Sequence, residues 1–163
     1  MPTGKQGSPR FLADAMLGSL ARKLRALGFE TTYYREGEDE GLLALAFNEG
    51  RVVLTSDRSL AARAGNRGVK AILVGGNNDR TRIRGIVRSA RLAGAPLRAG
   101  DSLCSNCGGE LQVISRGSAL NLVPPSVGRR HRLFFRCKKC GQVYWRGSHW
   151  KKLTSLARLL REE

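Results

Sequence analysis

The sequence predicts an α/β fold, a mainly parallel sheet flanked by helices, with a small cysteine-rich unit and a terminal helix after it. Short apolar runs alternate with stretches of helical periodicity from Arg10 to about Leu97, the pattern of parallel strands joined by helices. All four cysteines come later, in two CxxC pairs. Between these regions, at Gly94-Ala95-Pro96, strand and helix alternation gives way to paired cysteines, basic residues and aromatics.

Arg10 to Ala13 is a short strand. Leu17, Leu20, Ala21, Leu24 and Leu27 recur at helical spacing, and Gly28 sits where a left-handed helix stop is wanted. Phe29 to Tyr34 reads as the second strand. Asp39 to Asn48 is helical, with Leu42, Leu43, Leu45 and Ala46 as its buried side and Gly50 closing it. Val52, Val53 and Leu54 form the continuous apolar run of a strand covered on both faces. Ser59 to Ala64 is a short helix, Val69 to Val74 another strand, and Asp79 to Leu92 a basic helix. A domain boundary is expected near Arg98 to Asp101. The last segment, His149 to Arg161, carries Leu153, Leu156, Ala157 and Leu160 at helical spacing and should dock as a helix. This division leaves residues 1–9 as a polar tail expected to be disordered, 10–98 as the α/β domain and 99–163 as the cysteine-rich unit.

Charge narrows the function. With 29 Lys+Arg against 13 Asp+Glu the net charge is +16, and the excess is shared by the parts before and after Arg98. Such an excess calls for a polyanionic partner, bound through phosphate contacts and weakened by salt. The longest apolar stretches fall far short of the roughly 20 residues that span a bilayer. Nothing near Met1 resembles the apolar centre of a secretory signal. A soluble, cytoplasmic protein without membrane contact is expected.

The pairs Cys104-Ser-Asn-Cys107-Gly108 and Cys137-Lys-Lys-Cys140-Gly141 each make one knuckle. A CxxC turn brings two thiolates to one side, and the glycine lets the backbone fold so that amides face the sulfurs. Two knuckles complete the tetrahedral sulfur shell of a closed structural zinc site. Two disulfides and an iron site are the alternatives. The stretch between the pairs exceeds a usual zinc-finger gap, so a ribbon with a long hairpin between its knuckles is expected. His131 and His149 are assigned to surface or nucleic-acid contact.

The same region interleaves cations with flat side chains. Arg129, Arg130, Arg132, Lys138, Lys139, Arg146 and Lys151, with Arg22 and Arg58 from the first part, are candidate RNA contacts. Phe135, Trp145 and Trp150 offer faces for unpaired bases, which suits single-stranded RNA. About half of these aromatics, Phe134 and Tyr144 or Trp145 among them, are expected to turn into the small core instead.

Acids are scarce, so their placement is informative. Asp14 follows the first strand, Asp39 opens a helix and Asp57 follows the strand ending at Thr55. Carboxyl ends of parallel strands line one edge of an open α/β sheet, where sites are built. Clustered carboxylates there would hold Mg²⁺ or Mn²⁺ for phosphodiester hydrolysis. Taken singly, Asp39 and Asp57 read as helix caps and Asp14 as a turn residue.

The stretch Phe11-Leu-Ala-Asp14-Ala-Met-Leu-Gly18-Ser-Leu-Ala-Arg22-Lys-Leu-Arg25-Ala-Leu-Gly28, with Gly50-Arg-Val-Val-Leu-Thr55-Ser-Asp57-Arg58 behind it, resembles the Mut-seven carboxy-terminal RNase domain family. That family is PIN-like and usually continues into a zinc ribbon. The resemblance implies a metal-dependent endoribonuclease acting on single-stranded RNA. Asp14, Asp39 and Asp57 match acidic positions of PIN-like proteins, and Glu38 and Glu40 are alternatives to Asp39. Thr55 is expected to orient a metal-bound water. A further helical acid of PIN nucleases has no counterpart between Gly18 and Glu36. The other reading is therefore a non-catalytic RNA-binding or ribosome-associated module, bound to a structured RNA such as rRNA.

Overall fold

The structure, a computed structural model, describes residues 8–90 and 102–161. The expected domain boundary, most of the expected tail and the last two residues of the expected basic helix lie outside those residues.

The first unit runs β1 (Phe11–Ala13), a 3-10 turn (Ala15–Leu17), α1 (Gly18–Ala26), β2 (Thr31–Tyr33), α2 (Asp39–Glu49), β3 (Val52–Thr55), α3 (Arg58–Asn66), β4 (Ala71–Leu73) and α4 (Asp79–Ser89). Its four strands are all parallel, in the order β2-β1-β3-β4. Parallel neighbours need long crossovers, and α1, α2 and α3 supply them. The pleat sends successive residues to opposite faces. Phe11, Ala13 and Leu54 therefore pack with Leu20 and Leu24 of α1 and Ile83 and Ile86 of α4. Leu12 and Val53 pack with Leu42, Leu43 and Ala46 of α2 and Leu60 and Ala64 of α3. The result is a sheet between two helical layers. Leu45, assigned to the buried side of α2, is only half-buried.

Three strands are shorter than the sequence predicts, β1 by Arg10 alone and β2 and β4 at both ends. Phe29 and Val69 are buried, as apolar strand residues would be, yet their amides close the preceding helices. Phe29 N donates to Leu24 O at 2.9 Å and Val69 N to Ala64 O at 2.9 Å. Those amides cannot also join the sheet ladder.

The second unit is an antiparallel sheet, β5 (Leu111–Ile114), β6 (Phe134–Cys137) and β7 (Val143–Trp145), in that order. The expected hairpin between the knuckles is formed by β5 and β6, but its tip is helical: α5 (Arg116–Leu120) and α6 (Pro125–Arg130). Ser115 caps α5 by accepting from Ser118 N, and Pro125 fits the first position of α6. The folded tip lays Ala119 and Val123 over Phe134 and Val143, a core too small to form from a bare hairpin.

The terminal helix α7 (Ser148–Arg161) docks, as expected. It does so on the other unit: Ala157 is fully buried in the sheet core, with Leu153 and Leu156 beside it. The ribbon is thereby held against α1 and α4. No helix among the described residues is long and apolar enough to cross a membrane.

Candidate catalytic edge and metal centre

The strand order creates a switch point. The chain leaves β1 for α1 on one face and β3 for α3 on the other, so the two connections part at the carboxyl ends of β1 and β3, the position where open α/β sheets build their sites. Asp14 directly follows β1, and Asp57 stands two residues after the end of β3.

Asp14 is only 7% exposed. Its Oδ1 accepts from Met16 N at 3.0 Å, and its Oδ2 accepts the hydroxyl proton of Thr55. The Thr55 oxygen in turn accepts from Asp57 N at 3.0 Å. One fully buried hydroxyl thus joins the two strand ends. With its proton given to Asp14, Thr55 acts by positioning that carboxylate. Asp57 Oδ1 caps α3, accepting from Ser59 N at 2.7 Å and Leu60 N at 3.2 Å. The cap and the sheet edge together place Asp57, so both readings of this residue describe the same geometry.

The turn carrying Asp14 is pinned from β2. Tyr33 donates its hydroxyl to Ala15 O at 2.8 Å, and its ring lies where a Cβ on Gly18 would come within 2.9 Å. A side chain at Gly18 would have to push the Tyr33 ring off that position.

Asp39 goes elsewhere. It opens α2 and forms an ion pair with Arg63 of α3, while Glu40 pairs with Arg67 and lies 3.7 Å from Arg63 Nη1. Glu38 is exposed at the N-cap position and makes no side-chain cap bond. Asp14 and Asp57 are brought to neighbouring strand ends, but the three acids do not gather their oxygens into one group. Among the described residues, the four cysteines alone form a cluster of three or more such ligand atoms.

Those sulfurs all lie within 4.8 Å of one another. Cys104 and Cys140 are 3.6 Å apart, and Cys107 and Cys137 are 3.5 Å apart. Sulfurs bound about 2.3 Å from a tetrahedral zinc would be separated by about 3.8 Å, so this donor set fits a closed structural site. Gly109 N points at Cys107 Sγ, and Lys139 N and Cys140 N point at Cys137 Sγ, each at 3.4 Å. These donors favour thiolates, and the Cys137 thiol is lowered, whereas burial outweighs the Gly109 bond and pushes the Cys107 thiol up to about 12. A backbone bond from Gln142, with the Asn106 amide assisting, lowers the Cys140 thiol to about 6. Gly108 and Gly141 adopt φ of 76° and 77°, as the knuckle turn requires.

Two parts of this centre escaped the sequence reading. Tyr144 sends its hydroxyl to Cys104 Sγ at 3.0 Å rather than its ring into a core. Arg25 reaches from α1 into the first knuckle, donating to Ser105 O at 3.1 Å, Asn106 O at 2.9 Å and Thr31 O at 2.7 Å. Burial lowers its pKa, opposed by the Cys107 and Cys104 sulfurs. The signal was present in the sequence: Arg25 lies one turn beyond Ala21 on the buried side of α1.

Of the candidate RNA contacts, Arg22, Arg58, Arg129, Arg130, Arg132, Lys138, Lys139, Arg146 and Lys151 are exposed; Lys138 is paired with Glu110 at 2.8 Å. Phe135, Trp145 and Trp150 are half-buried. Trp145 packs on the ribbon core and against His131, whereas Phe134 is wholly inside, as expected. The Arg146 guanidinium lies 5.9 Å from the Phe135 ring centre and 5.3 Å from that of Trp150.

No curated protein and no solved structure matches the chain. A family model does: the Mut7-C RNAse domain matches residues 9–157, a span that takes in the parallel sheet with Asp14 and Asp57, both knuckles and most of α7. The chain belongs to the Mut7-C RNAse domain family.

Proposed function

We propose that this protein is a metal-dependent endoribonuclease that hydrolyses single-stranded RNA at the switch point of its parallel sheet, with a zinc-bound basic ribbon holding the RNA. The reading rests on one observation above the others: a buried Asp14, fixed by Thr55, beside Asp57 on the neighbouring strand end in a chain of this family. Asp14 and Asp57 would hold Mg²⁺ or Mn²⁺, which commonly takes one or two carboxylates and completes its shell with water and substrate phosphate. The ion supplies an activated water and charge stabilisation at the phosphodiester. Thr55 keeps Asp14 oriented, and Arg58, next to Asp57, is placed to meet a phosphate. Asp39 remains the third acid of the reading, released when its pair with Arg63 opens. Cys104, Cys107, Cys137 and Cys140 hold one structural zinc.

Asp14→Asn tests this. Asparagine has the same shape: its oxygen can keep the Met16 amide while its nitrogen donates to the Thr55 oxygen, so the turn can be satisfied while the anionic ligand is lost, and a thermal melt checks that the fold is kept. Mn²⁺-dependent cleavage of an end-labelled RNA should disappear and RNA binding persist; equal cleavage by the two proteins refutes the proposal.

A second reading, a non-catalytic RNA-binding or ribosome-associated module, draws on the Asp39–Arg63 ion pair, which ties the third acid away from the other two. It expects salt-sensitive RNA binding without Mn²⁺-dependent scission by the purified wild type.

A further inference from the structure

A groove of about 880 Å³ runs between α1 on one side and the ribbon with the first turns of α7 on the other. We infer that it binds unpaired nucleotides of RNA, with bases stacking on Trp150 and Phe135 in the place now covered by the Arg146 guanidinium. The inference rests on the RNA reading above and names the surface that carries it.

Among the described residues, Phe135 and Trp150 belong to none of the apolar core clusters, yet both are held half-exposed in the groove wall. Their contact is with a cation, Arg146, and a guanidinium plane is what a base can replace on a ring face. Released from the rings, Arg146 is free to meet a phosphate. The lining charge is complementary to such a ligand: Arg22, Arg146 and Lys152 line the groove, while Lys23 there is already paired with Asp79. An apolar peptide would bury those cations without partners, whereas a nucleic-acid strand supplies phosphates for the cations and flat rings for the aromatics.

Position supports the same occupant. Asp79 opens α4, the helix after β4, and a helix that follows a parallel strand starts on the carboxyl side of the sheet, the side on which Asp14 and Asp57 lie. At its other end the groove meets Leu103 and Ser105 of the first knuckle. A strand lying along it would run from the ribbon toward the acidic edge. Paired bases are stacked in their own helix and cannot offer their faces, so the groove selects unpaired RNA.

The test uses the full zinc-bound chain without added Mg²⁺ or Mn²⁺, so that no RNA is cut. A short fluorescent oligouridylate is compared with an abasic ribose-phosphate strand of the same length and charge. The wild type should prefer the oligouridylate, and Trp150→Ala should weaken its binding roughly 5- to 150-fold, the range for losing one base–aromatic stack, while leaving the abasic strand unaffected. Trp145→Phe leaves Trp150 as the chain's remaining tryptophan, and its emission should be quenched by oligouridylate and not by the abasic strand. Equal wild-type binding of the two strands, or unchanged Trp150 emission on saturation with oligouridylate, overturns the groove assignment while leaving the RNA reading intact. Failure to bind any RNA overturns both.

Discussion

Thr55 gives its hydroxyl proton to the Asp14 carboxylate and receives the amide of Asp57, so a single side chain ties together the ends of two neighbouring strands. It is fully buried, and both its partners carry the acids assigned to the site. Thr55→Val keeps the shape and removes the hydroxyl, leaving the Asp57 amide and one Asp14 oxygen without this partner. The expected cost is about 1–3 kcal/mol of stability, the usual penalty for an unsatisfied buried polar group. Cleavage should fall by more than tenfold, and Thr55→Ser should restore it although it packs less well. Denaturant unfolding and Mn²⁺-dependent cleavage, measured on the same preparations, separate positioning from packing.

Arg25 joins the two units. Its guanidinium serves three backbone carbonyls, and its own carbonyl accepts from Leu103 N at 3.0 Å. Arg25→Met retains the aliphatic stem and removes every side-chain donor. A loss of about 2–5 kcal/mol is expected, since hydrogen bonds to a charged group are each worth about 1.5–3 kcal/mol and do not add fully. Arg25→Lys should not rescue, because a single ammonium nitrogen cannot replace Nε on Thr31 O and Nη1 on Ser105 O and Asn106 O at once. Hydrogen exchange at the first knuckle should accelerate in both variants.

Gly109 sits against the sulfur shell. A Cβ there would come 2.8 Å from Cys137 Sγ and 2.9 Å from Lys139 Cβ, so Gly109→Ala should displace a ligand. We expect one zinc per chain in the wild type by metal analysis, and substoichiometric zinc in Gly109→Ala and in Cys137→Ser. Removal of the metal should also lower the unfolding temperature of the sheet unit, because α7 follows β7 directly and contributes Ala157 to the sheet core. Tyr144→Phe, which loses a bond to Cys104 without losing a ligand, should keep its zinc.

The Asp39–Arg63 pair lies at the surface, with side chains 46% and 40% exposed. Asp39→Asn should therefore change stability by no more than about 1 kcal/mol. If Asp39 joins the metal when the pair opens, Arg63→Gln should tighten the Mn²⁺ dependence of cleavage, lowering the Mn²⁺ concentration at half-maximal rate. An unchanged midpoint would leave Asp39 with the ion pair alone.

The sequence by itself determined the alternation of elements and the knuckles, because both are local. Leu20, Leu24 and Leu27 recur at the helical period, Val52 to Leu54 form one unbroken apolar run, and each CxxC turn is complete within five residues. It also marked Asp14 and Asp57, since an acid just beyond a parallel strand can end only at the carboxyl edge. Tertiary structure alone decided the rest. Whether Asp39 faces Asp14 or Arg63 depends on how α2 leans on α3, and no period along the chain encodes that. The packing of the hairpin tip over Phe134 and Val143, the reach of Arg25 into the ribbon and the return of Ala157 to the sheet core are likewise contacts between distant segments. Their geometry is set by which buried surfaces and unpaired backbone groups meet when the two units close on each other.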